Sequence, residues 1–388
     1  MGRIRDFLKK RESEGLLRIL KPADSRGEGK IYREGKEFVD LSSNDYLGLS
    51  THPKIKDAAR EATEKYGTSS SASRLLSGDL NIHHHLEERV ANFKGKEAAL
   101  VFNSGYQANV GIISALYSKG DAIICDRLSH ASIIDGILLS GARFFRFNHN
   151  DSGHLESILK NNRDNFKDVL IVTETIFSMD GDRPPLCELV ELKKRYNCEI
   201  MVDEAHATGV FGENGAGVVE EEGLSENIDL VMGTFSKALG SFGAYLACSK
   251  MVKDYLINAC RSFIYSTALP PSVIAANLAG LDLIKEESFR RKALLENAAF
   301  FKEVLRSKGF DVRGSSQIVP LIIGDSQKAI DMSRELQEKG YWALPIRPPT
   351  VPSNEARVRF SLTYHHKKEL LENLANAICE SGCVPAHK

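Results

Sequence analysis

Seven short apolar runs, at 98–102, 122–125, 144–147, 169–173, 199–202, 230–232 and 244–247, punctuate the middle of the chain, with helix-length amphipathic segments between most of them. That alternation predicts βαβ units and an α/β fold around a mainly parallel, seven-stranded sheet. Polar or small residues follow most of the runs. In open α/β sheets ligands collect at the carboxyl ends of the strands, so those following residues are where chemistry is expected. A different rhythm begins near Glu286, with a long helical pattern, a strand-like stretch at 319–323 and another helix from about Gln327. The pattern divides the chain into an N-terminal arm over 1–45 carrying a basic helix around 7–20, a large domain over 46–285 and a smaller C-terminal α/β domain over 286–388. No internal repeat or low-complexity tract is visible, which argues against a solenoid or a disordered scaffold.

The length of 388 residues is enough to enclose a large site. Lysine and arginine number 51 against 52 aspartate and glutamate, so the net charge of −1 offers nothing to a nucleic-acid backbone. A small-molecule ligand is expected. The seven cysteines show no C-x-x-C spacing, Cys379 and Cys383 coming closest, so neither a metal site nor a disulfide framework is indicated and a reducing cytoplasm fits best. Met1-Gly2-Arg3-Ile4-Arg5-Asp6 lacks the apolar core of a signal peptide, and no stretch approaches the ~20 apolar residues of a membrane span. The expectation is a soluble protein with no membrane partner.

Candidate chemistry gathers after four of the runs. Lys237 stands in Gly233-Thr234-Phe235-Ser236-Lys237-Ala238-Leu239-Gly240, at the mouth of a buried strand. Desolvation or neighbouring positive charge there would lower the amine's pKa and make it a nucleophile toward an aldehyde, while hydroxyls between glycines suit a phosphate held close to the backbone. A Schiff-base lysine holding pyridoxal phosphate fits the octapeptide; so, taken alone, does a loop lysine. Val202-Asp203-Glu204-Ala205-His206 places an acid just past an apolar strand, where a protonated pyridine nitrogen would partner Asp203 and His206 could reach the ring's phenolic oxygen. By themselves the two residues read more readily as a helix cap and a core histidine. His130 follows another strand and could stack on the ring and hydrogen-bond a carbonyl. Asn103-Ser104-Gly105-Tyr106 marks a strand turning into a helix, an anion cradle, and Ser178 lies in Glu174-Thr175-Ile176-Phe177-Ser178-Met179-Asp180-Gly181-Asp182, whose acids suit a turn. The run His83-His84-His85 cannot face one metal ion, because consecutive residues splay around a helix.

With Ser43-Asn44-Asp45-Tyr46-Leu47-Gly48-Leu49 added to these motifs, the chain resembles the α-oxoamine synthases from about residue 3 to 380. These fold-type-I pyridoxal-phosphate transferases condense an amino acid with an acyl thioester and lose carbon dioxide. The resemblance implies Lys237, Asp203 and His130 as catalytic, with Lys237 holding the cofactor, Asp203 on the pyridine nitrogen and His130 on the ring. It also implies cofactor contacts from Gly105, Tyr106, Ser178, His206 and Thr234. Arg359 matches the position that binds the amino-acid carboxylate, and Arg18, Asn44, Arg347 and Thr350 match substrate contacts. Family members are homodimers, which would let Ser266 and Thr267 reach the partner's phosphate. Ile346-Arg347-Pro348-Pro349-Thr350-Val351-Pro352 points to members that use L-alanine and a pimeloyl thioester, on coenzyme A or acyl carrier protein, in the biotin pathway. Ala131-Ser132-Ile133-Ile134-Asp135-Gly136 is shared with members that use glycine and acetyl-CoA.

Overall fold

The computed structural model describes residues 1–14 and 16–381. Its central sheet has the strand order Ala98–Phe102, Ala244–Cys248, Leu230–Thr234, Glu199–Asp203, Val169–Glu174, Ala122–Asp126, Arg143–Phe147. Ala244–Cys248 runs antiparallel to both of its neighbours, and the pairings from Leu230–Thr234 onward are parallel. Each expected strand is present. Both faces are covered: Val169 and Ile171 enter one apolar core, while Leu170 and Val172 enter the other. Burial on both sides is why these strands read as unbroken apolar runs.

Four strands extend past their apolar stretch and keep a polar residue in the ladder, namely Asp126, Glu174, Asp203 and Thr234. The partner strand decides this. Thr173 pairs with Val202 and Glu174 with Asp203, so two carboxylates end side by side on adjacent strands.

A three-stranded sheet, Ile318–Gly324, Ala356–Ser361 and Pro345–Ile346, carries Arg357 and Arg359 on its central strand. A second small sheet joins Ser25–Gly27, Lys30–Arg33 and Lys36–Asp40 to Tyr341–Trp342. The arm is thereby tied to the C-terminal segment, with the Arg33 guanidinium 4.1 Å from the centre of the Trp342 ring. The basic helix differs from expectation: it spans Gly2–Ser13 rather than 7–20, and none of its residues is buried. With no apolar face packed, local bonding sets its end, where the Ser13 hydroxyl and the Glu14 N–H both turn back to the Lys10 carbonyl.

Among the described residues no helix is long and apolar enough to cross a membrane. The described cysteines, Cys125, Cys187, Cys198, Cys248, Cys260 and Cys379, are unbridged, and Cys383 lies outside the described residues.

Candidate active site

The carboxyl ends of five strands converge on a cavity of about 320 Å³. It is lined by Asn44, Gly105, Tyr106, His130, Ser178, Asp203, His206, Thr234, Lys237 and Arg359, ten of the residues expected from the sequence. A larger cleft of about 700 Å³ opens at the amino ends of Glu199–Asp203 and Leu230–Thr234, where lining polar groups are engaged with the protein itself. Tyr117 donates to Glu199 there, and Lys96 donates to the carbonyls of Ser225 and Ile228. Chemistry, not size, separates the two.

Lys237 follows Leu230–Thr234 on a turn pinned by the fully buried Phe235 and Ala238. The turn closes with Gly240 N–H on the Lys237 carbonyl (2.9 Å). Gly240 has φ of +65°, and a Cβ there would lie 2.4 Å from Ser50 N, so only glycine fits. Among the described residues the Lys237 amine makes no hydrogen bond. Burial lowers its pKa from the usual lysine value and Arg359 adds to this, against the opposing pull of Asp203 and Glu174.

Asp203 is buried, its Oδ1 accepting from Ala205 N–H (2.9 Å) and its Oδ2 from the Asn109 amide (3.0 Å). The Glu174 carboxyl beside it is pushed well above the usual carboxylate range, first by burial and then by the Asp203 charge. Glu174 Oε1 accepts the His130 N–H at 2.7 Å. His206 stays neutral because burial, then the charges of Lys237 and Arg359, hold its pKa well below 6.5. Its Nδ1 lies 2.6 Å from the Tyr46 hydroxyl, which donates to Asn44 Oδ1 (3.2 Å).

Two arginines two residues apart behave differently. Arg357 is fully buried and ion-paired with Asp180 (2.6 Å) and Glu355 (2.9 Å). Arg359 is 8% exposed, donates through Nε to the Ser178 carbonyl and through Nη2 to Asn44 Oδ1 (3.4 Å), and has no carboxylate partner among the described residues. A buried cation without a counter-charge is costly, and a carboxylate entering the cavity would offset that cost.

An ionic clamp ties the His130 and Ser178 loops together. His149 Nδ1 donates to Asp126 (3.0 Å) and its Nε2 to Asp182 (2.9 Å), while its ring packs edge-on against Phe177 with centroids 4.5 Å apart. Two carboxylates on one imidazole require both ring nitrogens to carry protons, and these bonds and charges outweigh burial to raise the His149 pKa to about 9.

Ser266 and Thr267 do not line the cavity: Ser266 Oγ accepts from Gln107 (3.0 Å), and the Thr267 carbonyl accepts from Asn103 (2.9 Å). Arg18 is exposed on the arm, while Arg347 and exposed Thr350 form a turn after Pro345–Ile346, closed by Thr350 N–H on the Arg347 carbonyl (3.0 Å). The three stand outside this cavity. His83 and His84 diverge as expected, to the Leu269 carbonyl (3.0 Å) and to Asp79 (2.8 Å).

Sequence reasoning missed Glu174, Asn109 and Ser132, all of which line the cavity. Glu174 had the signal, an acid directly after an apolar run, but read as a turn former. Asn109 is one helical turn after Gly105 and so shares its face.

Residues 36–378 match the family model described as aminotransferase class I and II, and the chain belongs to that family. The 8-amino-7-oxononanoate synthase of Geobacter sulfurreducens is 50% identical over 378 residues, which cover 97% of this chain and 96% of that protein. Among solved structures, SPT with its PLP internal aldimine matches with a TM-score of 0.91 at 32% identity, covering 98% of this chain and 96% of that one. An 8-amino-7-oxononanoate synthase from Francisella tularensis matches with a TM-score of 0.78 at 30% identity, covering 88% and 97%. The fold is the PLP-dependent transferase fold expected from the sequence.

Proposed function

We propose that this chain uses pyridoxal 5'-phosphate to join L-alanine to a pimeloyl thioester, releasing carbon dioxide and the thiol carrier and giving 8-amino-7-oxononanoate for biotin biosynthesis. The carrier is coenzyme A or acyl carrier protein. The choice of reaction rests on the named relatives. The observation that carries the chemistry is a Lys237 amine with no hydrogen bond, and an Arg359 with no carboxylate partner, among the described residues, sharing one cavity with the Asp203 carboxylate.

The residues present fit the cofactor. Thr234 Oγ1 is buried with no hydrogen-bond partner among the described residues. A Cβ at Gly105 would come within 2.9 Å of Thr234 Cγ2, so the glycine keeps the approach to the helix start open. The phosphate is assigned to the N-terminus of Gly105–Leu116 at Gly105 and Tyr106, with Thr234. The ring is assigned to Asp203, His130, Ser178 and His206, and the aldehyde to Lys237. When bound, the cofactor supplies an electron sink for the carbanion formed at Cα of the amino acid.

Arg359 holds the amino-acid carboxylate, a role for which a planar guanidinium is suited. The Lys237 amine, kept below its usual pKa by burial, takes the Cα proton as general base. Asp203 stabilises positive charge on the group that faces it. His130 hydrogen-bonds the oxygen of the thioester carbonyl and then of the new ketone. Glu174, by accepting the His130 backbone N–H, holds that histidine in place.

Our reading includes a homodimer. Tyr106, Leu138, Leu139, Phe242 and Tyr265 are exposed large apolar residues of the single chain, which a second copy would cover, with Ser266 and Thr267 then turned toward the partner's phosphate. Arg18, Arg347 and Thr350 are assigned to the substrate entrance. The division at about residues 45 and 285 and a cytoplasmic location belong to the same reading, the latter supported by unbridged cysteines.

Coenzyme A release from pimeloyl-CoA with alanine, compared with acetyl-CoA with glycine, tests the substrate. Preference for the first pair is expected, and clear preference for the second sinks it. Lys237→Ala should abolish turnover and the borohydride-trapped cofactor adduct.

A further inference from the structure

Asn109, on Gly105–Leu116, and Ser132, on Ala131–Ser140, are each 1% exposed, and together they connect Asp203 to His130. The Asn109 amide nitrogen lies 3.0 Å from Asp203 Oδ2 and 2.9 Å from Ser132 Oγ. Its orientation follows from Asp203, because an ionised carboxylate only accepts and must face the N–H₂ end. Its second N–H then occupies a lone pair of Ser132 Oγ. The Ser132 hydroxyl proton is left for His130 Nδ1, 2.8 Å away. An independent contact agrees: His130 is the N-cap of Ala131–Ser140, and its Nδ1 accepts the Ser132 backbone N–H at 3.2 Å. A nitrogen that receives two donors carries no proton of its own, so a neutral imidazole holds its single proton on Nε2.

We propose that Asn109 and Ser132 are positioning residues that lock His130 as its Nε2–H tautomer, so that it meets the reacting carbonyl as a neutral hydrogen-bond donor. The inference rests on the reading that His130 faces that carbonyl. The same pair joins the two groups assigned to the ring, Asp203 and His130, through a relay of three side-chain hydrogen bonds. Fixing a tautomer through the nitrogen that does not react is how enzymes orient imidazole donors. Rotation of the His130 ring would break both Nδ1 contacts at once.

The test is side-chain NMR of histidine labelled with ¹⁵N, in the cofactor-free and the loaded protein, with the His130 signal assigned from His130→Asn. Unprotonated Nδ1 and protonated Nε2 are expected in wild type in both states. An Nδ1–H tautomer or an imidazolium at neutral pH overturns the proposal without any variant having to fold. Ser132→Ala should show a tautomer mixture and a kcat lowered by about 10-fold, with KM for the amino acid unchanged. Ser132→Ala with a pure Nε2–H signal and full kcat also overturns it. If wild type failed to condense pimeloyl-CoA with alanine while His130 kept its Nε2 proton, the functional reading would fail and the tautomer lock would stand.

Discussion

Replacing Arg359 by lysine should damage substrate binding and leave the fold intact, whereas replacing Arg357, two residues earlier on the same strand, should do the reverse. The Arg359 side chain spends Nε on the Ser178 carbonyl and has no carboxylate partner among the described residues. Lysine keeps the charge but loses the planar fork, so an alanine carboxylate forfeits about one charge-assisted hydrogen bond, worth about 1.5–3 kcal/mol. At about 1.4 kcal/mol per tenfold, kcat/KM for alanine should fall roughly 10- to 150-fold. The carboxylate is held alike in the bound substrate and through Cα deprotonation and condensation, before it leaves as carbon dioxide, so the loss should appear mainly in KM. Arg357→Met instead strands Asp180 and Glu355, which are 15% and 35% exposed, and breaking a buried pair costs about 3–5 kcal/mol, here nearer the lower figure. Steady-state kinetics with alanine varied at saturating pimeloyl-CoA, beside denaturant unfolding of both variants, separates the roles. An unchanged KM for alanine in Arg359→Lys, or a stability loss equal to that of Arg357→Met, would refute the assignment of Arg359 to substrate.

Two further outcomes concern buried charge. Lys94 donates to Glu204 (2.7 Å) and Thr208 (3.2 Å), and Glu204 is fully buried, so Lys94→Met should cost about 3–5 kcal/mol in denaturant unfolding. Adding Glu204→Gln should recover part of that loss, and strict additivity would contradict the pairing. For His149 the folded-state pKa of about 9 lies above the unfolded 6.5, so its contribution is full below pH 6.5 and is lost as pH rises through about 9. Allowing for solvent at the ring edge, about 2 kcal/mol should disappear across that window in the wild type. His149→Gln should lack this pH-dependent component, and parallel stability curves for the two proteins would rule the clamp out.

The reach of the sequence differs from residue to residue. Lys237, Asp203, His206 and His130 are legible because each lies within five residues of the end of an apolar run, and in a doubly covered sheet such a run ends where the cavity begins. Glu174 carries the same signal yet equally suits a turn, since nothing local shows that Val169–Glu174 lies beside Glu199–Asp203. Arg18, Arg347 and Thr350 matched a family pattern, but the single-chain cavity is built without them. The basic N-terminal helix lies earlier than its pattern predicts because that pattern implies packing that the fold does not provide.

Hydrophobic periodicity records whether a segment is buried and on how many faces, so the sequence alone determined the seven strands, their α/β alternation and the lysine at the mouth of Leu230–Thr234. It does not record which segments become neighbours. Sheet order alone set Glu174 beside Asp203, and packing of two helices alone joined Asn109 to Ser132 and so to His130. Arg357 and Arg359 are indistinguishable as letters, alternate residues of one strand; contact with the loop at 178–180 gives the first a carboxylate partner and leaves the second its charge for a ligand. Hydrogen bonds and ion pairs act over a few ångströms between groups far apart in the chain, and only the closed tertiary structure brings those groups together.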